Sequence, residues 1–151
     1  MTHLKSGDKA PPFKGIDQNG KSISLSDYKG KKLIIYFYPK DLTPGCTDQA
    51  CNLRDNMGIL KKEGYEIIGV SADDEKMHQK FIAKHQLNFP LIADTDKTIL
   101  NQFGVWGTKK FMGKVYDGIH RTTFVIDEKG MIEKVIEKVD TKNHSSQIMN
   151  N

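Results

Sequence analysis

Two cysteines, Cys46 and Cys51, are the residues of this 151-residue chain best suited to covalent chemistry. A thiolate is both a nucleophile and a metal ligand, and two neighbouring thiols can be oxidised to a disulfide. In a protein of a reducing compartment, a close cysteine pair is more often catalytic or metal-binding than structural. The C-x4-C spacing differs from the C-x2-C spacing typical of zinc sites, and no histidine cluster stands nearby. Redox or nucleophilic chemistry is therefore the stronger interpretation.

The sequence before Cys46 predicts that this thiol lies at the start of a helix. An apolar, β-rich run from Leu33 to Tyr38 has the pattern of a buried central strand, which Pro39 ends. Thr43 then suits the N-cap position and Pro44 the first helical position. Cys46 therefore falls in the first turn, where free N–H groups and the positive end of the helix dipole favour the thiolate.

The same helix, predicted to run from Pro44 to Lys62, keeps the two cysteines apart. Cys46 shares a face with an apolar stripe, whereas Cys51 lies ~140° away around the helix axis. Their Cα atoms are ~9 Å apart in a regular helix, and a disulfide tolerates no more than ~7 Å. Either the two thiols are unrelated or the helix unwinds locally when they join. The alternative is that Cys46 is a small buried hydrophobe and Cys51 an incidental thiol. The position of Cys46 at a helix start favours the functional interpretation.

Strands and helices alternate around this central segment. Asn19-Gly20 predicts a hairpin turn among short extended pieces in residues 10–30. The later predicted elements are a strand over 66–72, a helix over 75–85, a strand over 90–93, a helix over 97–103, and strands over 122–127 and 131–138. This order indicates an α/β sandwich with a mixed sheet, compatible with a thioredoxin-like arrangement. No linker or repeat marks a domain boundary.

Composition limits the partners of the chain. The net charge of +4 comes from lysines and acids that are interleaved, without the basic stripe of a nucleic-acid-binding protein. The apolar run of Leu33–Tyr38 is far shorter than the ~20 residues of a membrane helix. Residues 1–9 lack the apolar segment of a secretory signal, so we expect a cytoplasmic protein. Of the 23 basic residues only Arg54 and Arg121 are arginines, so each is a candidate for a specific role.

The chain also resembles a known family. YFYPK at 36–40 followed by TPGCT at 43–47 resembles the P-x3-T-x2-C signature of peroxiredoxins. Cys51 resembles the resolving cysteine of the peroxiredoxin Q branch, also called bacterioferritin comigratory protein. The similarity continues through 53–55, 104–107, 111–114 and 116–127 and covers about residues 7–143.

The resemblance implies a thioredoxin fold with an N-terminal β-hairpin extension, as one domain over residues 1–151. It also implies a cofactor-free, metal-free peroxidase that reduces hydrogen peroxide and organic hydroperoxides. The implied site residues are Cys46 as the peroxidatic cysteine, Cys51 as its resolving partner in an intrachain disulfide, Thr43 as hydrogen-bond partner of thiolate and peroxide, Arg121 as the active-site arginine, and Pro39 as a shield against water. Thioredoxin or a similar dithiol is the implied reductant, and we expect a monomer without nucleic-acid or membrane partners.

Three other functions remain to be separated from this one. A thiol–disulfide oxidoreductase of the same fold normally uses C-x-x-C, a peroxide sensor would be oxidised without turnover, and a structural domain would not need Cys46 at all. Trp106, Phe111 and Met112 are expected to be packing residues, with the edge of the active site as the other option. The last nine residues, from Asn143, make a helix too short to be stable without packing.

Overall fold

The computed structural model describes residues 1–150, which contain nine strands and five α-helices. In chain order the elements are β1 (Lys14–Ile16), β2 (Ser22–Ser24), a short 3-10 helix (Leu25–Tyr28), β3 (Lys32–Phe37), α1 (Pro44–Asp55), α2 (Met57–Lys62), β4 (Tyr65–Ser71), α3 (Glu75–His85), β5 (Leu91–Ala93), α4 (Thr98–Gln102), β6 (Trp106–Phe111), β7 (Lys114–Ile119), β8 (Thr122–Ile126), β9 (Ile132–Ile136) and α5 (His144–Met149). Within the described residues, no helix is long and apolar enough to cross a bilayer.

The central sheet has five strands in the order β5-β4-β3-β8-β9. Strand β3 pairs in parallel with β4 and antiparallel with β8, so that Tyr36 lies between Gly69 and Thr123. Strands β1 and β2 form a separate antiparallel hairpin around the predicted Asn19-Gly20 turn. The predicted thioredoxin-like sandwich with a mixed sheet and an N-terminal hairpin extension is confirmed.

The central strand β3 divides the core between its two faces. Leu33, Ile35 and Phe37 pack into one apolar cluster with residues of α4 and the N-terminal segment. Ile34 and Tyr36 point the other way, into a second cluster that includes residues of α1, α3 and α5. Side chains alternate across a strand, so a strand buried on both faces is apolar throughout. Helix α1 is therefore held against one face of the sheet by its apolar stripe.

The helix predicted over 44–62 is two helices in the structure. It ends at Asp55, and Asn56 adopts φ −103° and ψ 9° before α2 begins at Met57. The Asn56 side-chain amide donates to the Asn52 carbonyl oxygen at 2.8 Å. A short amide side chain competes in this way for backbone groups, which explains the break.

The β6–β7 hairpin was not among the predicted elements. Its two strands pair only with each other in the described chain, and Met112 and Gly113 form the turn with positive φ. Trp106 at its base is partly buried against the core. Phe111 and Met112 are instead 64% and 87% exposed, so the packing prediction is wrong for these two.

The short C-terminal helix α5 is stabilised by tertiary contacts. His144, Ser145 and Ile148 are buried. The Lys134 ammonium donates to the Gln147 carbonyl oxygen at 3.0 Å and so satisfies an end of the helix that has no internal partner. Packing thus supplies the stability that length alone does not.

Candidate active site

Cys46 is the third residue of α1, in the first turn that follows strand β3. The placement is as predicted, and the residue is 1% exposed. The thiol lies beneath the surface, in the apolar cluster with Ala50 and Leu53. The protein excludes most water from this sulfur, and electrostatic interactions with it are correspondingly strong.

Arg121, between β7 and β8, brings a positive charge to the sulfur. Its Nη2 donates to Cys46 Sγ at 3.3 Å, and its Nη1 donates to Gln49 Oε1 at 2.7 Å. A Cβ at Gly45 would lie 3.4 Å from Nη2, so the guanidinium packs directly over this glycine. The guanidinium and the first turn of α1 thus both face this sulfur.

Gln49 is a site residue that the sequence analysis missed. It is completely buried, and its Oε1 holds one branch of the Arg121 guanidinium. Its Nε2 has no hydrogen-bond partner among the described residues. The signal was its position three residues after Cys46, because residues i and i+3 lie on neighbouring parts of one helix face.

Tyr36 is a second missed residue. Its hydroxyl is buried and has no hydrogen-bond partner in residues 1–150. Burial raises the pKa of Tyr36 well above its ordinary value, and the charge of Cys46 acts in the same direction. The phenol therefore stays protonated, as a free hydrogen-bond donor within electrostatic range of the sulfur.

Thr43 and Pro39 hold the loop that precedes α1. Thr43 occupies the N-cap position with extended backbone angles, but its hydroxyl donates to the Lys40 carbonyl oxygen at 2.7 Å. The first intrahelical bond runs from the Thr47 N–H to the Thr43 carbonyl oxygen at 2.9 Å. Pro39 directly follows β3 and is half-buried. The structure thus brings Arg121 to the sulfur, whereas the Thr43 hydroxyl is bonded to its own loop.

Cys51 lies on the same continuous helix as Cys46 and is half-buried. Both cysteines are free thiols. Five residues of regular helix separate their Cα atoms by ~9 Å, beyond the reach of a disulfide. A bond between them requires the intervening turn of α1 to unwind.

A buried charged network holds the loop that leads into α1. Asp41 accepts from the Tyr38 hydroxyl at 2.5 Å and lies 2.6 Å from His78 Nδ1, while its backbone N–H donates to Asp73 at 2.9 Å. His78 Nε2 lies 2.9 Å from the Ile92 carbonyl oxygen. Burial alone would lower the pKa of His78, but the hydrogen bond and charge of Asp41 outweigh it and raise this pKa. Both ring nitrogens face acceptors, so the imidazole is protonated. We call Tyr38, Asp41, Asp73 and His78 the upstream network.

The upstream network is not a metal site. Ligand-type atoms of Asp41, Asp73 and His78 all lie within 4.8 Å of one another. Each of these atoms is already engaged in hydrogen bonds with protein groups, and the protonated imidazole has no lone pair to offer. The cluster is therefore accounted for as a structural ion pair.

A neutral network holds α1 on the other side of the two cysteines. Asn52 follows Cys51, and its side chain donates to the Lys142 carbonyl oxygen at 2.9 Å and accepts from the Ser145 N–H at 2.8 Å. These bonds tie α1 to the beginning of α5. The neighbouring His144 is completely buried, with its two ring nitrogens 2.7 Å from Thr123 Oγ1 and 2.8 Å from Gln147 Oε1.

The partners of His144 are compatible with a neutral ring, which its burial favours. The amide oxygen of Gln147 can only accept, so Nδ1 carries a proton, and the Thr123 hydroxyl can donate to Nε2. Burial lowers the pKa of His144, in agreement with this assignment. We call Asn52, Thr123, His144, Ser145 and Gln147 the downstream network.

A cysteine in the first turn of a helix after the central strand of a thioredoxin-like sheet, with an arginine on its sulfur, defines a thiol redox protein. Residues 6–135 match the model of the AhpC/TSA family, and the chain belongs to that family. It is 50% identical to Escherichia coli K12 Peroxiredoxin Bcp over 150 residues, which cover 99% of this chain and 96% of that protein.

Solved structures give the same result. Xanthomonas campestris Peroxiredoxin Q superposes with a TM-score of 0.84 at 34% identity, over 90% of this chain and 86% of that one. Mycobacterium tuberculosis Peroxidoxin BcpB superposes with a TM-score of 0.85 at 32% identity, over 96% and 94%. The predicted membership of the peroxiredoxin Q branch is confirmed, and with it the thiol-dependent peroxidase activity.

Proposed function

We propose that Cys46 attacks the hydroperoxide, that Cys51 resolves the product within the same chain, and that thioredoxin returns the electrons. The observation that carries this proposal is the contact of Arg121 Nη2 with Cys46 Sγ at 3.3 Å in the first turn of α1. The dipole of helix α1 and the guanidinium of Arg121 both act on this one buried sulfur, which is the arrangement that a nucleophilic thiolate needs.

In the first step the Cys46 thiolate attacks one oxygen of a hydroperoxide. The S–O bond forms as the O–O bond breaks, and the departing oxygen takes a proton and leaves as water or an alcohol. Negative charge moves onto that oxygen, and fixed donors in a dry site stabilise it. Arg121 supplies such donors, the Thr43 hydroxyl becomes one if it turns from the Lys40 carbonyl, and Pro39 excludes water from the loop.

In the second step the thiol of Cys51 attacks the sulfur of the Cys46 sulfenic acid. The S–S bond forms and the S–OH bond breaks, which releases a second water molecule. The two sulfurs cannot come into contact while helix α1 is intact, so this step requires local unwinding. Support comes from the two networks, because they hold the chain at Asp41 and at Asn52 and leave residues 42–51 between them.

In the third step a dithiol protein reduces the Cys46–Cys51 disulfide, and we propose thioredoxin for this role. The cycle starts and ends with two free thiols, which require a reducing compartment, so we place the protein in the cytoplasm. A disulfide within one chain needs no second subunit, and we propose a monomer. The complete scheme is that of an atypical two-cysteine peroxiredoxin.

Steady-state turnover of Cys46→Ser and Cys51→Ser with thioredoxin, its reductase and NADPH tests this scheme. We expect no peroxide consumption by the Cys46→Ser variant, and a single oxidation followed by arrest for Cys51→Ser. Small thiols should restore cycling of the second variant but not of the first. Normal turnover by Cys46→Ser would refute the assignment, and wild-type oxidation that never cycles would indicate a sensor.

A further inference from the structure

One face of the β6–β7 hairpin combines aromatic and basic side chains. In the antiparallel register Lys109 lies opposite Tyr116, and Phe111 lies opposite Lys114. Directly opposed residues of an antiparallel pair point to the same side, as do residues two apart along a strand. These four residues, with Met112 at the turn, are called here the hairpin face.

The hairpin face begins beside the catalytic arginine. The Lys109 ammonium donates to the Ile119 carbonyl oxygen at 2.9 Å, two residues before Arg121. A Cβ at Gly118 would lie 3.1 Å from the Lys109 stem and 3.4 Å from the Tyr116 ring, so both side chains cover that glycine. Burial lowers the pKa of Lys109, Arg121 lowers it further, and Cys46 opposes them. The inner end of the face is thus within electrostatic range of the reactive sulfur.

The outer end of the hairpin face projects into solvent. Phe111 is 64% exposed, Met112 87% and Tyr116 47%. They are three of the eight large hydrophobic residues that are exposed in residues 1–150. A concentration of exposed apolar side chains next to a reactive centre is typical of an interaction site.

We propose that the hairpin face is the docking surface for the dithiol protein that reduces the Cys46–Cys51 disulfide, and that this partner presents an apolar and acidic surface. The proposal rests on the proposed function, because it requires that disulfide to form. The hairpin face is small, which suits a transient redox encounter, because interfaces of that kind are at the low end of the size range.

The charge of the face selects this occupant over a second copy of the chain. A two-fold dimer joins the same patch of both subunits, so Lys109 and Lys114 of both copies would be gathered into one interface. Like charges brought together in this way are unfavourable, and the net charge of +4 adds to the repulsion. An acidic partner meets the same lysines with attraction and is steered towards the sulfur.

The docked partner would complete a balanced exchange. Its thiolate attacks one sulfur of the Cys46–Cys51 disulfide, which forms a mixed disulfide and releases the other cysteine as a thiol. The second thiol of the partner then displaces the protein, so the partner leaves oxidised and both cysteines leave reduced. The hairpin lies outside residues 42–51, and unwinding of that segment leaves the hairpin face in place.

The two faces of the hairpin offer a matched test of the apolar contact. Phe111 and Val115 are 64% and 65% exposed but lie on opposite faces of the hairpin. Phe111→Ser should lower kcat/KM for a bacterial thioredoxin about tenfold, whereas Val115→Ser should change it less than twofold. Turnover of both variants with dithiothreitol, and their single-turnover oxidation by hydrogen peroxide, should equal those of the wild type.

The lysines offer a second matched pair. Lys114 lies on the hairpin face and Lys110 on the opposite one. Lys114→Glu should slow reduction by thioredoxin severalfold more than Lys110→Glu, and added salt should diminish the difference. Equal effects within each pair would overturn the proposal, as would a loss with dithiothreitol equal to the loss with thioredoxin.

Two further outcomes separate this proposal from its neighbours. A change of sedimentation coefficient in Phe111→Ser would assign the face to self-association and refute the docking role. Failure of the wild type to consume peroxide even with dithiothreitol would refute the proposed function itself. The docking proposal would fall with it, whereas failure of the docking proposal alone leaves dithiothreitol turnover intact.

Discussion

Residues 42–51, which contain both cysteines, lie between the upstream and downstream networks. The upstream network is charged, and the downstream network is neutral. Upstream, His78 lies between Asp41 and a backbone carbonyl and carries a charge. Downstream, His144 lies between Thr123 and Gln147 and is neutral. Both imidazoles are 0% exposed, so burial does not distinguish them. The hydrogen-bonding groups around each ring decide its protonation state.

Between the two networks, residues 42–51 are held by apolar packing and by few polar side-chain contacts. These polar contacts are the pair made by Arg121, with Cys46 and Gln49, and the bond of Thr43 to its own loop. In the proposed cycle, sulfenic acid formation changes the group that Arg121 contacts. We therefore expect local unwinding between the two networks, rather than unfolding of the domain, to accompany the joining of the two cysteines.

Removal of the charge from the upstream network should have the largest effect on stability. Asp41→Asn leaves His78 buried without its counter-charge, and breaking a buried pair in this way costs about 3–5 kcal/mol. Urea unfolding followed by circular dichroism measures the loss. Asp48→Asn changes an exposed carboxylate of α1 and should shift the free energy of unfolding by no more than about 0.5 kcal/mol. Similar losses in the two variants would contradict the charged assignment.

Arg121→Met should affect chemistry rather than stability. The donor on the Cys46 sulfur is lost, and single fixed donors of this kind contribute about 10²-fold to rate. The second-order rate constant for oxidation by hydrogen peroxide, measured by stopped-flow tryptophan fluorescence, reports the change. The chain provides its own control in Arg54→Met, because Arg54 binds Asp55 and the His85 carbonyl oxygen and should leave that rate constant unchanged.

Asn52→Ala should loosen the downstream network. Two hydrogen bonds to the start of α5 are lost, at a cost of about 1–2 kcal/mol in the free energy of unfolding. The same change should accelerate disulfide formation after Cys46 is oxidised, since α1 then unwinds more easily. Asn101→Ala removes a bond to the Lys97 carbonyl oxygen far from the segment and is the control. A disulfide rate equal to that of the wild type would show that Asn52 does not limit unwinding.

The pH dependence of stability should show the smallest effects, with opposite signs for the two histidines. The raised pKa of His78 stabilises the fold below its ordinary value of 6.5, and this contribution is lost as pH rises through the raised pKa. The lowered pKa of His144 has the opposite effect. Its contribution to stability is fully present above the ordinary pKa of 6.5 and is lost as pH falls through the lowered pKa.

The comparison of two variants isolates these contributions. Between pH 8 and pH 5, His78→Gln should lose more stability than the wild type and His144→Gln should lose less. Denaturant unfolding at several pH values gives both curves. Two variants whose curves deviate from the wild type in the same direction would contradict the opposite protonation states.

Local chemistry was enough to place the reactive thiol. The apolar run Leu33–Tyr38, Thr43 at the N-cap position and Pro44 together predicted the strand, the turn and the position of Cys46 in the first helical turn. Capping and dipole effects act within one turn, so the residues that cause them are neighbours in the sequence. The break at Asn56 was missed because an apolar stripe that continues through Met57 and Leu60 conceals a single competing side chain.

Long-range packing supplied the side-chain partners of that thiol. Arg121 reaches Cys46 from 75 positions away and Gln49 from 72, through the pairing of β3 with β8. The exposure of Phe111 could not be derived from its apolar side chain, because burial depends on what lies opposite it in space. The charges of His78 and His144 likewise follow from partners on other elements. Neighbouring residues thus set the position of the sulfur on its helix. Its charged partner and its burial depend on contacts between distant segments, which only the folded chain brings together.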